Sequence, residues 1–172
     1  MKNYLRILRV ASLNIVLSVL VVAFVAFLLK IDRSWLSPLP VFTRIVAWPF
    51  LVGGVFLIVS AVLALLKHGG ATGAPGDSTR KLVIAGPYQW IRNPIYAGGT
   101  LLLFGLAFYT RSLLLFLMTN VFMAGMHFVV SLIEEPGAEK RFGDEYQKYK
   151  QEVPRWFPRL SKRNSKKEAN EQ

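Results

Sequence analysis

The sequence has no cysteine and comparatively few acidic residues and histidines. Without cysteine, the chain can form no disulfide, no thiolate metal site and no cysteine nucleophile. Ten acidic residues and two histidines stand against twenty-one lysines and arginines. No group of His, Asp and Glu has the spacing of a metal site, so we expect no metal.

Nucleotide-binding motifs of soluble proteins are also missing. The glycine-rich stretch 67–77 (KHGGATGAPGD) has neither the lysine of a phosphate loop nor the spacing of a dinucleotide fingerprint. The formal charge of +11 would suit nucleic acid, but the basic residues lie between and after long apolar runs. We therefore expect no nucleic-acid partner.

Long apolar runs are what the sequence has in abundance. Four runs without Asp, Glu, Lys or Arg cover residues 10–29, 45–66, 94–109 and 112–133. A membrane span needs roughly 20 apolar residues, so the third run is short. Because only two residues separate the last two runs, we expect them to form an antiparallel hairpin. The sequence predicts an all-α polytopic membrane protein with four transmembrane helices and a short cytoplasmic C-terminal helical segment.

The basic residues predict the orientation. Seventeen of the twenty-one lie in the N-terminal tail, the 67–93 loop and the residues after the fourth run. Four spans put these segments on one side, and the positive-inside rule makes that side the cytoplasm. We expect an integral, multi-pass membrane protein with both termini cytoplasmic and its positive charge facing membrane lipids.

The connection 83–99 (VIAGPYQWIRNPIYAGG) is more elaborate than a link between two spans requires. Pro94 suits the first position of a helix, and Asn93 before it suits the N-cap. The N–H groups and partial positive charge of that helix start would suit a carboxylate or phosphate. A capped helix start with an aromatic anchor explains the same residues without a ligand.

Polar residues recur at intervals of seven along the fourth run and directly after it. They are Asn120, His127 and Glu134, and this spacing predicts a single stripe. The stripe either makes interhelical hydrogen bonds or lines a pocket. Adjacent acids at a helix C-terminus oppose the dipole, which suggests a bound cation or hydroxyl-rich ligand. Salt bridges from Glu134 and Glu135 to nearby basic residues, namely Lys140 and Arg141, are the alternative.

After this run comes an amphipathic segment. Phe142, Tyr146, Tyr149 and Val153 follow steps of four, three and four, so they share one helix face. We expect that face to pack on the mouth of the bundle, where the two tyrosines could also meet a ligand. Residues 161–172 are charged and expected to be a disordered tail.

These motifs resemble the isoprenylcysteine carboxyl methyltransferase and phospholipid methyltransferase superfamily. The resemblance covers about 80–158 within a single membrane domain at 1–160. It is carried by two blocks in the family's order: Gly86-Pro87-Tyr88-x-x-x-Arg92-Asn93-Pro94-x-Tyr96-x-Gly98, and Glu134-Glu135 followed by Phe142-Gly143-x-Glu145-Tyr146-x-x-Tyr149-x-x-x-Val153-Pro154.

The resemblance implies a membrane methyltransferase that uses S-adenosyl-L-methionine and a lipophilic, membrane-embedded acceptor with a carboxyl, amine or hydroxyl group. Nucleoside contacts would come from 80–83, the amino-acid end would lie at the helix start, and Glu134 would hold a hydroxyl or ammonium. The family's cofactor-binding positions fall here on Arg80, Lys81, Leu82, Val83, Tyr88, Asn93, Pro94, Ile95, Tyr96, Gly98, Glu134 and Glu135.

Two positions depart from the prenylcysteine enzymes that the chain resembles. Asn93 stands where they have histidine, and asparagine can still cap and donate. Val130 stands where they have an arginine that meets the substrate's carboxylate, which argues against a prenylcysteine carboxylate. No dedicated catalytic base is evident, and His127 is the candidate for taking a proton from an amine or hydroxyl acceptor.

Two other functions remain open at this point. Sterol-reductase-type membrane enzymes share a related C-terminal architecture, so a nicotinamide-dependent reductase is one alternative. A non-catalytic membrane module that binds lipid is the other. Cofactor binding distinguishes the three, and the sequence does not predict the oligomeric state.

Overall fold

The computed structural model describes residues 23–28, 30–31, 38–69 and 81–158. Every regular element in these ranges is helical, which confirms the all-α prediction for this part of the chain. Residues 23–28 and 30–31 are α-helical. The α-helices that follow are α1 (Thr43–Ala64), α2 (Pro94–Thr110), α3 (Leu113–Val129), α4 (Glu135–Phe142) and α5 (Asp144–Glu152). A π-helical turn, Leu65–Gly69, extends α1, a second one, Val130–Glu134, joins α3 to α4, and a short 3₁₀ turn covers Gly86–Gln89.

Within the described residues, two helical stretches are long and apolar enough to cross a membrane. They are Thr43–His68, with 26 residues, and Leu113–Phe142, with 30 residues. In the most apolar 18-residue segment of each stretch, only 17% is buried inside the protein. Most of this apolar surface is therefore exposed, as expected of helices that face lipid. Helix α2 is shorter, as predicted. The first predicted span lies mostly outside the described residues, so the number of four spans stays a prediction.

Helices α1 and α2 cross in backbone contact. A Cβ placed on Gly54 would lie 2.8 Å from the carbonyl oxygen of Gly98. A Cβ on Gly98 would lie 2.9 Å from the carbonyl oxygen of Gly54 and 2.7 Å from Ile58 Cγ1. Small residues allow this approach. The crossing holds the start of α2 firmly against α1 and gives Gly98 a packing role.

Helices α2 and α3 form the predicted hairpin. Arg111 ends α2 in the left-handed conformation, with φ of 62°, and Ser112 caps α3 by accepting the backbone N–H of Leu115 at 3.0 Å. The turn is tied to the chain before α1, because Arg111 Nε donates to the carbonyl of Leu39 at 2.6 Å. The backbone N–H of Leu39 donates back to the Arg111 carbonyl at 2.9 Å.

The C-terminal segment folds back over the opposite end of the hairpin. Gly143, with φ of 54°, turns α4 into α5. Tyr146, Tyr149 and Val153 form a buried cluster against which Leu82, Ala138 and Phe142 pack. The predicted packing of Phe142 with Tyr146, Tyr149 and Val153 is confirmed, but the four do not share one helix, because Gly143 leaves Phe142 on α4 and Val153 follows the end of α5. A backbone hydrogen bond of 2.9 Å from Arg92 to the carbonyl of Pro154 joins this segment to the 81–93 connection.

Candidate active site

The connection before α2 is held in place by buried side chains and by α5. Val83, Pro87 and Ile91 are buried in it. The phenol of Tyr149 donates to the carbonyl of Tyr88 at 2.7 Å. The C-terminal segment therefore fixes the backbone of the connection at Tyr88.

Helix α2 begins at the fully buried Pro94, as predicted. The predicted N-cap hydrogen bond of Asn93 is absent, and this part of the prediction is wrong. The reason is local: the Asn93 amide turns away from the helix and donates to the carbonyl of Arg155 at 3.5 Å. Since no side chain caps the first turn, its N–H groups stay available to an external acceptor.

Glu134 lies against this helix start. The phenol of Tyr96, in the first turn of α2, donates to Glu134 Oε1. Burial, and secondarily the negative charge of Glu134, raise the pKa of Tyr88 well above its usual range. Two neutral phenols and one carboxylate thus meet beside uncapped amide groups. A carboxylate with aromatic neighbours suits a cation or a hydroxyl group.

Glu135 points to a different set of partners. Its carboxylate is buried and bonds Arg155 in a bidentate manner, with Nε to Oε1 at 2.7 Å and Nη2 to Oε2 at 2.9 Å. Arg92 Nη1 lies 2.9 Å from Oε1, and Lys150 Nζ lies 3.6 Å from Oε2. The expectation of salt bridges is confirmed for Glu135, but the partners expected, Lys140 and Arg141, are wrong. Residues brought from loops and α5 take their place.

Arg92 is a buried cation with incomplete hydrogen bonding. Its side chain is 8% exposed. Although Nη1 lies within ion-pair distance of Glu135, its N–H does not point at the oxygen, and neither Nη1 nor Nε forms a hydrogen bond. The contact is therefore one of charge, and Arg155 supplies the aligned hydrogen bonds to the same carboxylate.

The π turn Val130–Glu134 follows α3. Glu134 is its last residue, and Glu135 comes directly after it. The turn interrupts the α-helical spacing between His127 and Glu134, and π turns are frequent at functional sites. Asn120 only bonds its own helix, at the Phe116 carbonyl, while His127 meets Trp156 and Arg155. The three residues of the predicted stripe consequently do not line one pocket.

Comparison with known protein families identifies the family of this chain. A sequence model described as phospholipid methyltransferase matches residues 42–145, more than half of the chain. The chain belongs to the phospholipid methyltransferase family. The matched range contains α1, α2, α3, α4 and both acids, and it ends before Tyr149, Lys150 and Arg155. Neither curated proteins nor solved structures gave a match.

Membership in the phospholipid methyltransferase family identifies a membrane methyltransferase, and the two long apolar helices fit a membrane protein. The superfamily resemblance seen in the sequence is confirmed. Acceptors of lipid type are what this family suggests.

The structure places the predicted cofactor residues in different surroundings. Tyr88, Asn93, Pro94, Tyr96 and Glu134 gather at the start of α2. Of the remaining residues, Lys81 is exposed, Leu82 packs on the tyrosine cluster, Val83 is buried, Ile95 is half-buried, Gly98 meets α1 and Glu135 binds arginines. Arg80 lies outside the described residues.

Sequence reasoning missed Arg155 and Lys150. Both bind Glu135, although Arg155 is 20 positions away in the sequence. Their neighbours Tyr149 and Pro154 belong to the motif that carried the family resemblance, which was the available signal. Spacing alone could not show that the segment folds back onto the end of α3.

Proposed function

We propose that this chain is an S-adenosyl-L-methionine-dependent methyltransferase whose acceptor is a lipophilic molecule embedded in the membrane. The observation that carries the proposal is the contact between Tyr96 and Glu134. It joins the two sequence blocks of the family resemblance at a helix start that no side chain caps. A carboxylate-binding group and a cation-binding group thus lie side by side.

The residues present fit the chemical groups of the donor. The backbone N–H groups of Ile95 and Tyr96, in a first turn without a side-chain cap, suit its carboxylate, and Glu134 suits its ammonium or a ribose hydroxyl. Tyr88 would line the same space, and residues 80–83 would supply backbone and apolar contacts to the nucleoside. Glu135 and Gly98 would support the site without contacting the donor. Glu135 would hold Arg92 and Arg155 in place, and Gly98 would hold α2 against α1.

The donor supplies an activated methyl group that needs little further chemical assistance. The protein's task is then to align the acceptor and to exclude water. The C-terminal segment closes one side of the site, where burial raises the pKa of Tyr149 and keeps its phenol a hydrogen-bond donor to Tyr88. A role for His127 as a base stays a prediction.

We further propose a multi-pass arrangement with both termini in the cytoplasm, based on the distribution of basic residues. The donor would reach the site from the cytoplasm beside α5. The acceptor would enter sideways from the bilayer, since most of the surface of α1 and α3 is apolar and exposed.

Calorimetric titration of the detergent-purified protein with S-adenosylmethionine and S-adenosylhomocysteine tests the donor site. We expect binding of both, and at least tenfold weaker binding by the Glu134→Gln variant, since a charge-assisted hydrogen bond contributes about 1.5–3 kcal/mol. Glu152→Gln, on the exposed end of α5, is the control and should bind like the unmodified protein.

Two results would contradict the proposal. One is unchanged donor affinity in a folded Glu134→Gln variant, which would remove Glu134 from the site. The other is absence of donor binding by the folded protein in detergent and in nanodiscs. A parallel titration with reduced nicotinamide dinucleotide then separates the reductase, which would bind it, from a non-catalytic lipid-binding module, which would bind neither.

A further inference from the structure

A second polar cluster lies where the end of α3 and the π turn meet the C-terminal segment, and it shares no residue with the contact between Tyr96 and Glu134. It consists of His127, Ser131, Arg155 and Trp156, and we call it the outer cluster. Arg155 Nη1 donates to Ser131 Oγ at 2.6 Å and lies 3.4 Å from His127 Nε2. Trp156 Nε1 donates to His127 Nδ1 at 3.2 Å.

The outer cluster has more hydrogen-bond donors than acceptors. Tryptophan and arginine can only donate, and a neutral imidazole accepts at one nitrogen and donates at the other. If His127 accepts from Trp156, its Nε2–H faces the N–H groups of Arg155. The opposite tautomer places Nδ1–H against the Trp156 N–H. In either case two donors face each other with no acceptor between them.

Ser131 offsets only part of this surplus. Its hydroxyl accepts from Arg155 at 2.6 Å, but its own proton is donated to the His127 carbonyl, so it leaves the donors on the imidazole and the indole facing each other. Glu135 faces the other nitrogens of Arg155, and it shares its single negative charge with Arg92 and Lys150. The side of the cluster at Arg155 Nη1 and His127 is therefore positive and rich in N–H groups.

The cluster lies where a lipid would meet the protein. The neighbouring side chains of Phe128 and Leu132 are 62% and 71% exposed, and they are apolar. Phe157, which follows Trp156, is 72% exposed. Trp156 itself is of a residue type enriched at the level of lipid head groups. An acyl chain along α3 would therefore bring its head group to the outer cluster.

We propose that the outer cluster binds the oxyanion of a lipid head group, a phosphate or a group of the same chemistry, and so selects the acceptor. An oxyanion accepts several hydrogen bonds and resolves the surplus of donors at His127 and Arg155. Naming this lipid as the acceptor rests on the proposed function. The binding site itself does not, because it is formed by residues outside the proposed donor site.

Ser131, in the π turn, and Glu135, at the start of α4, are four positions apart, and Glu134 lies between them in the sequence. A lipid held at Ser131 and Arg155 is thus next to the helix end that carries Glu134. The cluster also supplies, from the C-terminal segment, the positive charge that Val130 does not provide on α3. This assigns His127 a binding role rather than the role of a base.

Calorimetry with three soluble probes tests the proposal, in maltoside detergent and without any methyl donor. The probes are hexyl phosphate, hexyl glucoside and inorganic phosphate. We expect hexyl phosphate to bind at least tenfold more tightly than either of the others. His127→Ala and Ser131→Ala should each weaken hexyl phosphate binding at least fivefold, whereas Asn120→Ala, an exposed polar residue on the same helix, should not.

The variants are compared only where their thermal unfolding midpoints match that of the unmodified protein, and His127→Gln replaces His127→Ala if the latter unfolds. Equal affinity for hexyl phosphate and hexyl glucoside would overturn the proposal, as would unchanged affinity in both variants. Equally tight binding of inorganic phosphate would show a free-phosphate site instead of a lipid site. Because no methyl donor is used, a failed donor titration leaves each of these results interpretable.

Activity gives an independent measurement if methyl transfer is observed. Loss of a lipid-binding contact predicts that His127→Ala raises KM for the lipid at least fivefold with kcat little changed. A loss in kcat with unchanged KM and a shifted pH profile would instead show a base at this position and would overturn the binding role.

Discussion

Two adjacent glutamates at the end of a span have separate roles. Glu134 faces the start of α2 through Tyr96, while Glu135 is buried among Arg92, Arg155 and Lys150. The sequence indicated that these acids need partners, because two carboxylates at a helix C-terminus oppose the dipole. It could not assign the partners, since they come from α2 and the connection before it, and from α5 and the segment after it.

We predict that replacing the single residue Glu135 by glutamine destabilises the folded protein strongly. The substitution leaves Arg92 and Arg155 close together without a compensating charge, and breaking a buried ion pair costs about 3–5 kcal/mol. Thermal unfolding in detergent should show a clear fall in the midpoint. Glu139→Gln, which removes only the 2.7 Å pair with the partly exposed Lys150, should change the midpoint little. Equal midpoints for the two variants would contradict this assignment.

Among the elements, the helices whose signals are local were predictable. The start of α2 at Pro94, the α2–α3 hairpin and the apolar cluster of Tyr146, Tyr149 and Val153 follow from proline geometry, a two-residue connection and helical spacing. The π turn after α3 was not predictable, because it satisfies contacts from Arg155 and Tyr96 that are distant in sequence. That turn is why the predicted stripe of polar residues fails beyond His127.

The crossing of α1 and α2 leads to a prediction with a matched control. Gly98→Ala should lower the unfolding midpoint, because the added Cβ would overlap the Gly54 carbonyl and Ile58, and overpacking costs about 1–3 kcal/mol. Gly99→Ala, in the next position of the same helix, meets nothing within 4 Å. Alanine favours helix there, so its midpoint should stay or rise. A midpoint for Gly98→Ala at or above that of Gly99→Ala would contradict the close crossing.

For the whole molecule, fold class and family were accessible from the sequence because both depend on patterns along the chain. Apolar runs predicted a helical membrane protein, and the motif blocks predicted the superfamily that the match over residues 42–145 confirms. The assembly of the site was less accessible. It depends on the C-terminal segment folding back over the hairpin, which brings Arg155 and Trp156 to the end of α3.

The central claim is methyl transfer from a cytoplasmic donor to a lipid. It is tested most directly by supplying methyl-labelled S-adenosylmethionine to sealed vesicles of expressing cells and counting label in the lipid extract. We expect label in inverted vesicles, where the donor reaches the cytoplasmic side, and little in right-side-out vesicles. The label should fall at least tenfold with Glu134→Gln and persist with Glu152→Gln. Lipid label no higher than in vesicles lacking the protein, in both orientations, would contradict the account.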